Sequence, residues 1–174
     1  MPDFNLRARL TALQLTLPPP PAPVASYLPG VQAGDMVFVS GQLPMKEGQL
    51  LASGPVPSTV GIEQAQAAAR QCVLNALAII DTGLGGDWTR FLHAVRLGVF
   101  VRSEDDFTQQ HVVANGASDL LVEIFGDRGR HARAAVGVNA LPLGASVEVE
   151  LAVALREQPA DPARRSIWSH RPTW

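Results

Sequence analysis

Apolar residues recur along this chain with two different periods. From Ile62 to about Asp81, Ala65, Ala69, Cys72, Ala76, Ile79 and Ile80 fall on one helical stripe, and Gly83, Gly85 and Gly86 end it. A second helix is predicted over about Thr108 to Phe125, with Phe107, His111, Ala114, Ser118, Leu121 and Phe125 in register and Gly126 as its stop. Leu6, Leu10, Leu13 and Leu17 give a short packing helix within Asn5 to Leu17. Pro18 to Pro23 cannot continue that helix and should run extended over the surface.

The other period is two. Met36 to Ser40 reads as a strand bounded by Gly34-Asp35 and Gly41, and a further strand is expected around Leu50 and Leu51 after the Lys46–Gly48 turn. Near Ala94 to Val101, the residues Val95, Leu97, Val99 and Val101 share one face, with Arg96, Gly98 and Phe100 on the other. Strands over about Ala132 to Leu141 and Ser146 to Leu155 close the domain. In the last, Val147, Val149, Leu151, Val153 and Leu155 alternate with Glu148, Glu150, Ala152 and Ala154. The order ββαβαββ predicts an α+β domain with its helices on one face of a mixed sheet. No helix remains for the opposite face, so another subunit is its simplest cover.

At 174 residues the chain has room for one ordinary domain. The expected organisation is a helical and proline-rich extension over 1–23, a domain over 24–157 and a tail over 158–174. Only 17% of residues are charged, below the typical quarter, which again suggests surface hidden in an oligomer. A formal net charge of −2 gives no electrostatic case for bulk nucleic-acid binding. Cys72 is alone, which excludes an intrachain disulfide. The first residues lack a signal-peptide pattern and no apolar run approaches the ~18 residues of a membrane helix, so a cytoplasmic location is expected. In the tail, Trp168 and Trp174 lie among Arg164, Arg165 and Arg171, which suits either a disordered end or docking onto a neighbour.

The chain has no Walker phosphate loop, no dinucleotide fingerprint and no nucleophile elbow. His93, His111, His131 and His170 form no metal pair at helical spacing, and the plain reading of each is a surface or core-edge histidine. Cys72, on an apolar stripe, reads as a buried structural thiol. The polar residues on otherwise apolar strands stand out instead: Arg133 at a strand start, Glu148 on the polar face of the last strand, and Ser40 at the end of Val37-Phe38-Val39. A guanidinium fork suits bidentate capture of a carboxylate, and a nearby carboxylate can orient or deprotonate water. The two are expected on facing parts of the terminal strands.

Tyr27-Leu28-Pro29-Gly30-Val31 followed by Val39-Ser40-Gly41-Gln42-Leu43-Pro44 resembles the opening signature of the reactive intermediate deaminase (RidA/YjgF) family. Ala132-Arg133-Ala134-Ala135-Val136, then Leu141-Pro142, then Val147-Glu148-Val149-Glu150 resembles its closing signature, so the similarity spans about Tyr27 to Leu155. The resemblance implies a chorismate-mutase-like fold, a homotrimer formed through the sheets, and clefts between subunits. It also implies hydrolysis of enamines and imines such as 2-aminoacrylate to 2-keto acids and ammonia, with no metal or organic cofactor. In that reading Arg133 holds the substrate carboxylate, Glu148 positions the attacking water, and Tyr27, Ser40 and the Gly41 backbone line the cleft.

Two further cleft positions depart from the family pattern. Ala135 stands where a cysteine is usual, and His111 where an asparagine is usual. The substitutions keep open a second function, a non-catalytic small-molecule-binding or regulatory trimer that uses the same cleft. An endoribonuclease, an activity attached to some relatives, ranks last, because no basic stripe or interleaved aromatics offer an RNA surface. The expected partners are therefore a small carboxylate or imine and other copies of the chain, with neither nucleic acid nor membrane.

Overall fold

The computed structural model describes residues 4–20 and 27–156. The tail beyond residue 156 and the second half of the proline segment lie outside the described residues.

The chain begins with α1 (Leu6–Ala12), capped by Asn5, whose Oδ1 accepts from the Ala8 N–H at 3.0 Å. Leu6 and Leu10 are buried, as the helical spacing predicts. The helix does not reach Leu17. Gln14 takes a left-handed backbone (φ 56°), and Leu13 before it and Leu15 and Leu17 after it pack against the core at alternate positions. The leucines continue to point inward because the period changes from helical to extended where the chain turns.

The main sheet is built from β1 (Gly30–Ala33), β2 (Met36–Gln42), β5 (Phe91–Arg102), β6 (Ala132–Val138) and β7 (Val147–Leu155). Their order is β1-β2-β7-β5-β6, with β5 and β6 parallel and every other pair antiparallel. The strand expected around Leu50 exists, but it is outside this sheet. It forms a small hairpin of β3 (Met45–Lys46) and β4 (Gln49–Leu50), and the first pair of the main sheet is instead β1 with β2. The short Gly30–Ala33 run carries too few apolar positions to show a period.

Helices α2 (Ile62–Leu84) and α3 (Gln110–Phe125) both pack on one sheet face. The predicted stripe of α2 is buried throughout, and Gly85 ends the helix in a left-handed conformation. The helices approach closely at Gly116 of α3. A Cβ there would overlap the Gln66 carbonyl oxygen of α2. The Gln66 side chain also donates to the Val112 carbonyl at 2.8 Å, which fixes the same crossing. In β5 a register shift between Ala94 and Arg96 moves Val95 off the core face and puts Ala94 there instead. An unbroken register resumes at Leu97 and holds to Val101, so Leu97, Val99 and Val101 keep to the core face.

Among the described residues, no helix lies over the opposite sheet face. Val31, Phe38 and Val136, which share that face, are 45%, 50% and 45% exposed. Among the described residues, no helix is long and apolar enough to cross a membrane.

Gly116→Ala tests the helix crossing. Alanine is the better helix former by about 1 kcal/mol, yet its methyl meets backbone that cannot swing aside. The variant should lose about 1–3 kcal/mol in urea denaturation, in the range of overpacked cores. An unchanged or raised midpoint would mean the helices can separate at no cost.

Candidate functional site: two half-sites on one sheet

The registers decide where each candidate side chain points. Leu97 pairs with Arg133 and Val99 with Ala135, so Arg133 and Ala135 project to the helix face at edge strand β6. Phe100 pairs with Glu148, and Gly98 with Glu150, so both glutamates project to the open face. Arg133 and Glu148 therefore leave the same sheet in opposite directions, with β5 between their strands. The expectation that they lie on facing parts of the terminal strands is corrected by this geometry. Two consecutive strand pairings, each face-preserving, carry the alternation across the sheet and separate the two side chains.

The first half-site is centred on Arg133. Its Nη1 donates to Asn115 Oδ1 and to Ser118 Oγ, both at 3.0 Å, and its Nη2 donates to the His111 carbonyl oxygen at 3.3 Å. His111, Asn115 and Ser118 stand at i, i+4 and i+7 on α3, one stripe facing the edge strand. These bonds use three of the five guanidinium N–H groups and leave two unused among the described residues. His111 thus contributes its backbone to the arginine, and its side chain is exposed. Ala135 is half-buried against the core on the same face.

Ser118 also meets His131, with Oγ 3.0 Å from Nε2, while His131 Nδ1 lies 2.7 Å from the Gly129 carbonyl oxygen. Burial lowers the His131 pKa from its usual value, the Gly129 carbonyl opposes this, and the neighbouring Arg133 charge lowers it further. The plain reading of His131 as a core-edge histidine misses this contact. Its partner is 13 residues away in sequence, and no local pattern announces it.

The second half-site is built around a bulge in β2. Val39 pairs with Leu151 and Gln42 with Val149, so Ser40 and Gly41 together oppose a single residue of β7. The Ser40 hydroxyl donates to the Leu28 carbonyl at 2.8 Å, and the Ser40 N–H donates to the Pro29 carbonyl at 3.0 Å. These bonds tie the segment that begins at the exposed Tyr27 to the bulge. A Cβ on Gly41 would overlap Glu148 Oε1, so only glycine lets that carboxylate lie against the backbone. Burial raises the Glu148 pKa, and the neighbouring Glu150 charge raises it further. An open groove beside this half-site is lined by Phe38, Ser40, Arg96 and Glu150.

Cys72 lies wholly buried under β7, with Sγ 3.9 Å from the Val147 carbonyl oxygen. Burial above all, with the charge of Glu148, holds its thiol well above the usual value, as suits a structural residue.

A family model described as "YjgF/chorismate_mutase-like, putative endoribonuclease" matches residues 7–155. Protein TCP17 of Trypanosoma cruzi is 44% identical over 152 residues, covering 87% of this chain and 94% of that protein. The crystal structure of Atu1372 from Agrobacterium tumefaciens superposes with a TM-score of 0.80 at 40% identity, covering 88% of this chain and 93% of that one. A 2-iminobutanoate/2-iminopropanoate deaminase of Dermatophagoides farinae is 27% identical over 142 residues, covering 81% of this chain and 94% of that protein.

The raised Glu148 pKa has a consequence for stability. The folded state keeps this carboxyl protonated to higher pH than the unfolded chain does, so folding takes up protons in that window. The contribution of Glu148 is fully present below its ordinary value of 4.5 and is lost as pH rises through the folded value. Glu148→Gln cannot ionise and escapes that loss. Its melting temperature should exceed that of wild type by a margin that grows from pH 4 toward neutrality. A margin independent of pH would show that Glu148 is not strained by its surroundings.

Proposed function

Because the chain belongs to the YjgF/chorismate-mutase-like (RidA/YjgF) family, we propose that it is a hydrolytic deaminase of small 2-imino acids, formed by two half-sites from neighbouring subunits. The observation that carries the proposal is the guanidinium of Arg133, held by three bonds to α3 with two donors left for a carboxylate. The name of the Dermatophagoides relative supports the substrate class.

In the proposed site, Arg133 of one subunit takes the carboxylate of a substrate such as 2-iminopropionate, the imine tautomer of 2-aminoacrylate. A second subunit brings Glu148, Gly41, Ser40 and Tyr27 to the other side. Water attacks the imine carbon while one of its protons passes to Glu148, and the C=N π pair moves to nitrogen. That proton is returned to nitrogen to give the neutral carbinolamine. Glu148 then takes the hydroxyl proton and passes it to the amino nitrogen, the oxygen lone pair forms C=O as the C–N bond breaks, and ammonia leaves a 2-keto acid. An imine carbon is already electrophilic, so holding the carboxylate and placing the water supply most of what is needed. A carboxylate with a raised pKa is a stronger base for that water.

The open sheet face supports the assembly. Its exposed Val31, Phe38 and Val136 flank the small residues Gly98, Ala134 and Ala152, a surface suited to burial against another subunit. We propose a trimer, so sedimentation should give about three times the 18.5 kDa chain mass. A monomer at micromolar concentration would remove the site, because neither half is sufficient.

The activity is tested by generating 2-iminopropionate enzymatically and trapping what remains with semicarbazide. Wild type should reduce the trapped product. Arg133→Ala should lose more than about 2 kcal/mol in kcat/KM, as expected for truncating charge-assisted bonds. Glu148→Gln should lower kcat more than it weakens binding of a small 2-keto acid. If Arg133→Ala hydrolyses imines as well as wild type, the mechanism is wrong. If wild type binds 2-keto acids through Arg133 yet hydrolyses no imine, the protein is a binding or regulatory module that uses the same cleft.

A further inference from the structure

We propose that Ser118 and His131 are positioning residues that fix the guanidinium of Arg133, with the orientation of the Ser118 hydroxyl set by the tautomer of His131. The proposal rests on Arg133 as the carboxylate holder.

The argument follows from counting protons. A guanidinium only donates, so at 3.0 Å Ser118 Oγ must accept from Arg133 Nη1. The single hydroxyl proton of Ser118 is then free to point at His131 Nε2, also 3.0 Å away. That bond requires Nε2 to be bare. At the other end of the ring, the Gly129 carbonyl can only accept, so Nδ1, 2.7 Å away, must carry the proton. The two ends demand the same neutral Nδ1–H imidazole. The order of donation is Arg133 to Ser118, Ser118 to His131, and His131 to Gly129.

The carbonyl that ends this order is itself fixed. A Cβ on Gly129 would overlap the Leu121 carbonyl oxygen, so the turn before β6 is pressed against α3. His131 is half-buried, and its burial together with the Arg133 charge favours the neutral ring that the geometry requires. A serine with an unanchored hydroxyl could turn its own proton toward Arg133 and repel it. With His131 in place, the lone pairs of Oγ stay aimed at Nη1. Asn115 and the His111 carbonyl hold the remaining bonds, so the guanidinium plane is defined on the protein side and its free N–H groups face outward.

The substitutions separate the links. Asparagine at 131 can still donate to the Gly129 carbonyl but offers nothing at the Nε2 position. Glutamine reaches the Nε2 position and can accept from Ser118. The probe is pyruvate, the 2-keto acid product class, with binding followed by calorimetry. Ser118→Ala and His131→Asn should each weaken pyruvate binding about tenfold, the effect of losing one bond to a charged group, whereas His131→Gln should stay near wild type. In the Ser118→Ala background, His131→Asn should cost nothing more, because its effect passes through Ser118. Additive losses, or equal losses for His131→Asn and His131→Gln, would overturn the proposal.

Nitrogen NMR of the ligand-free protein gives an independent readout. Wild type should show His131 as the Nδ1–H tautomer, with Arg133 Nη signals that average in Ser118→Ala. An Nε2–H tautomer would overturn the proposal even if pyruvate does not bind. If Arg133→Ala binds pyruvate as wild type does, the deaminase reading fails instead, and the NMR result still decides the positioning role.

Discussion

Side chains on a strand alternate between faces, and the β6–β5–β7 registers leave Arg133 and Glu148 on opposite faces of one sheet. Everything about the candidate site depends on that constraint. No rotamer change can bring the two groups together, because the sheet itself lies between them. A site that uses both must take Arg133 from one copy and Glu148 from another. The same sheet provides for this: among the described residues the helices cover only the arginine's face, and the face that carries Glu148 is open and exposes Val31, Phe38 and Val136. The proposed catalytic arrangement and the proposed assembly are thus one hypothesis. Evidence against either is evidence against both.

The open face sets a second tension. Glu148 and Glu150 stand on a surface that also exposes Phe38 and Val136. Covering such a surface removes water from the carboxylates as well as from the apolar groups. The raised Glu148 pKa already reflects partial burial in the single chain, and a neighbouring subunit would deepen it. Gly41 sharpens the effect, since the absent Cβ admits the carboxylate against the β2 bulge where solvent is restricted. A structural surface would favour an apolar residue at this position. A base for a water molecule needs the opposite, a carboxylate whose charged form is held at a cost.

Much of the fold was legible because its core obeys simple periods. The stripe of α2 and the alternation of β7 survive unchanged in the structure, and the uncovered sheet face followed from counting helices. Two of the failures share one cause, a local change of period. Gln14 converts helical spacing into extended spacing, and the shift near Val95 trades one inward residue for another. The resemblance to a known family marked Arg133, Glu148, Ser40 and Gly41 as candidates, and alternation put Glu148 opposite the apolar row of its strand, but sequence order could not tell that Arg133 would occupy the other face. Face assignment needs the register of β5 against both neighbours, and that is a tertiary fact. Asn115, Ser118 and His131 were hidden for a related reason. On α3 the stripe facing Arg133 runs beside the apolar stripe, so the two read as one pattern until the edge strand is placed.

The distribution of donors around Arg133 bears on which chemistry such a site can support. A structural arginine usually spends its N–H groups on carboxylates or carbonyls of its own chain. Here the acceptors are an amide oxygen, a hydroxyl and a backbone carbonyl, all neutral. The guanidinium is therefore held in place without its charge being neutralised; none of the ion pairs formed among the described residues involves it. An anion arriving at the two remaining donors meets a full positive charge in a prepared orientation, at little further cost in side-chain entropy. The geometry discriminates by charge and planarity rather than by the rest of the ligand, which suits a family of small 2-imino acids better than one elaborate substrate. Selectivity among them would fall to residues at the cleft margin such as His111 and Ala135, the two positions expected from the resemblance to depart from the family pattern. His111 meets Arg133 only through its backbone carbonyl and Ala135 makes none of the three bonds that hold the guanidinium, so both side chains could alter which substrate is accepted while leaving the proposed chemistry intact.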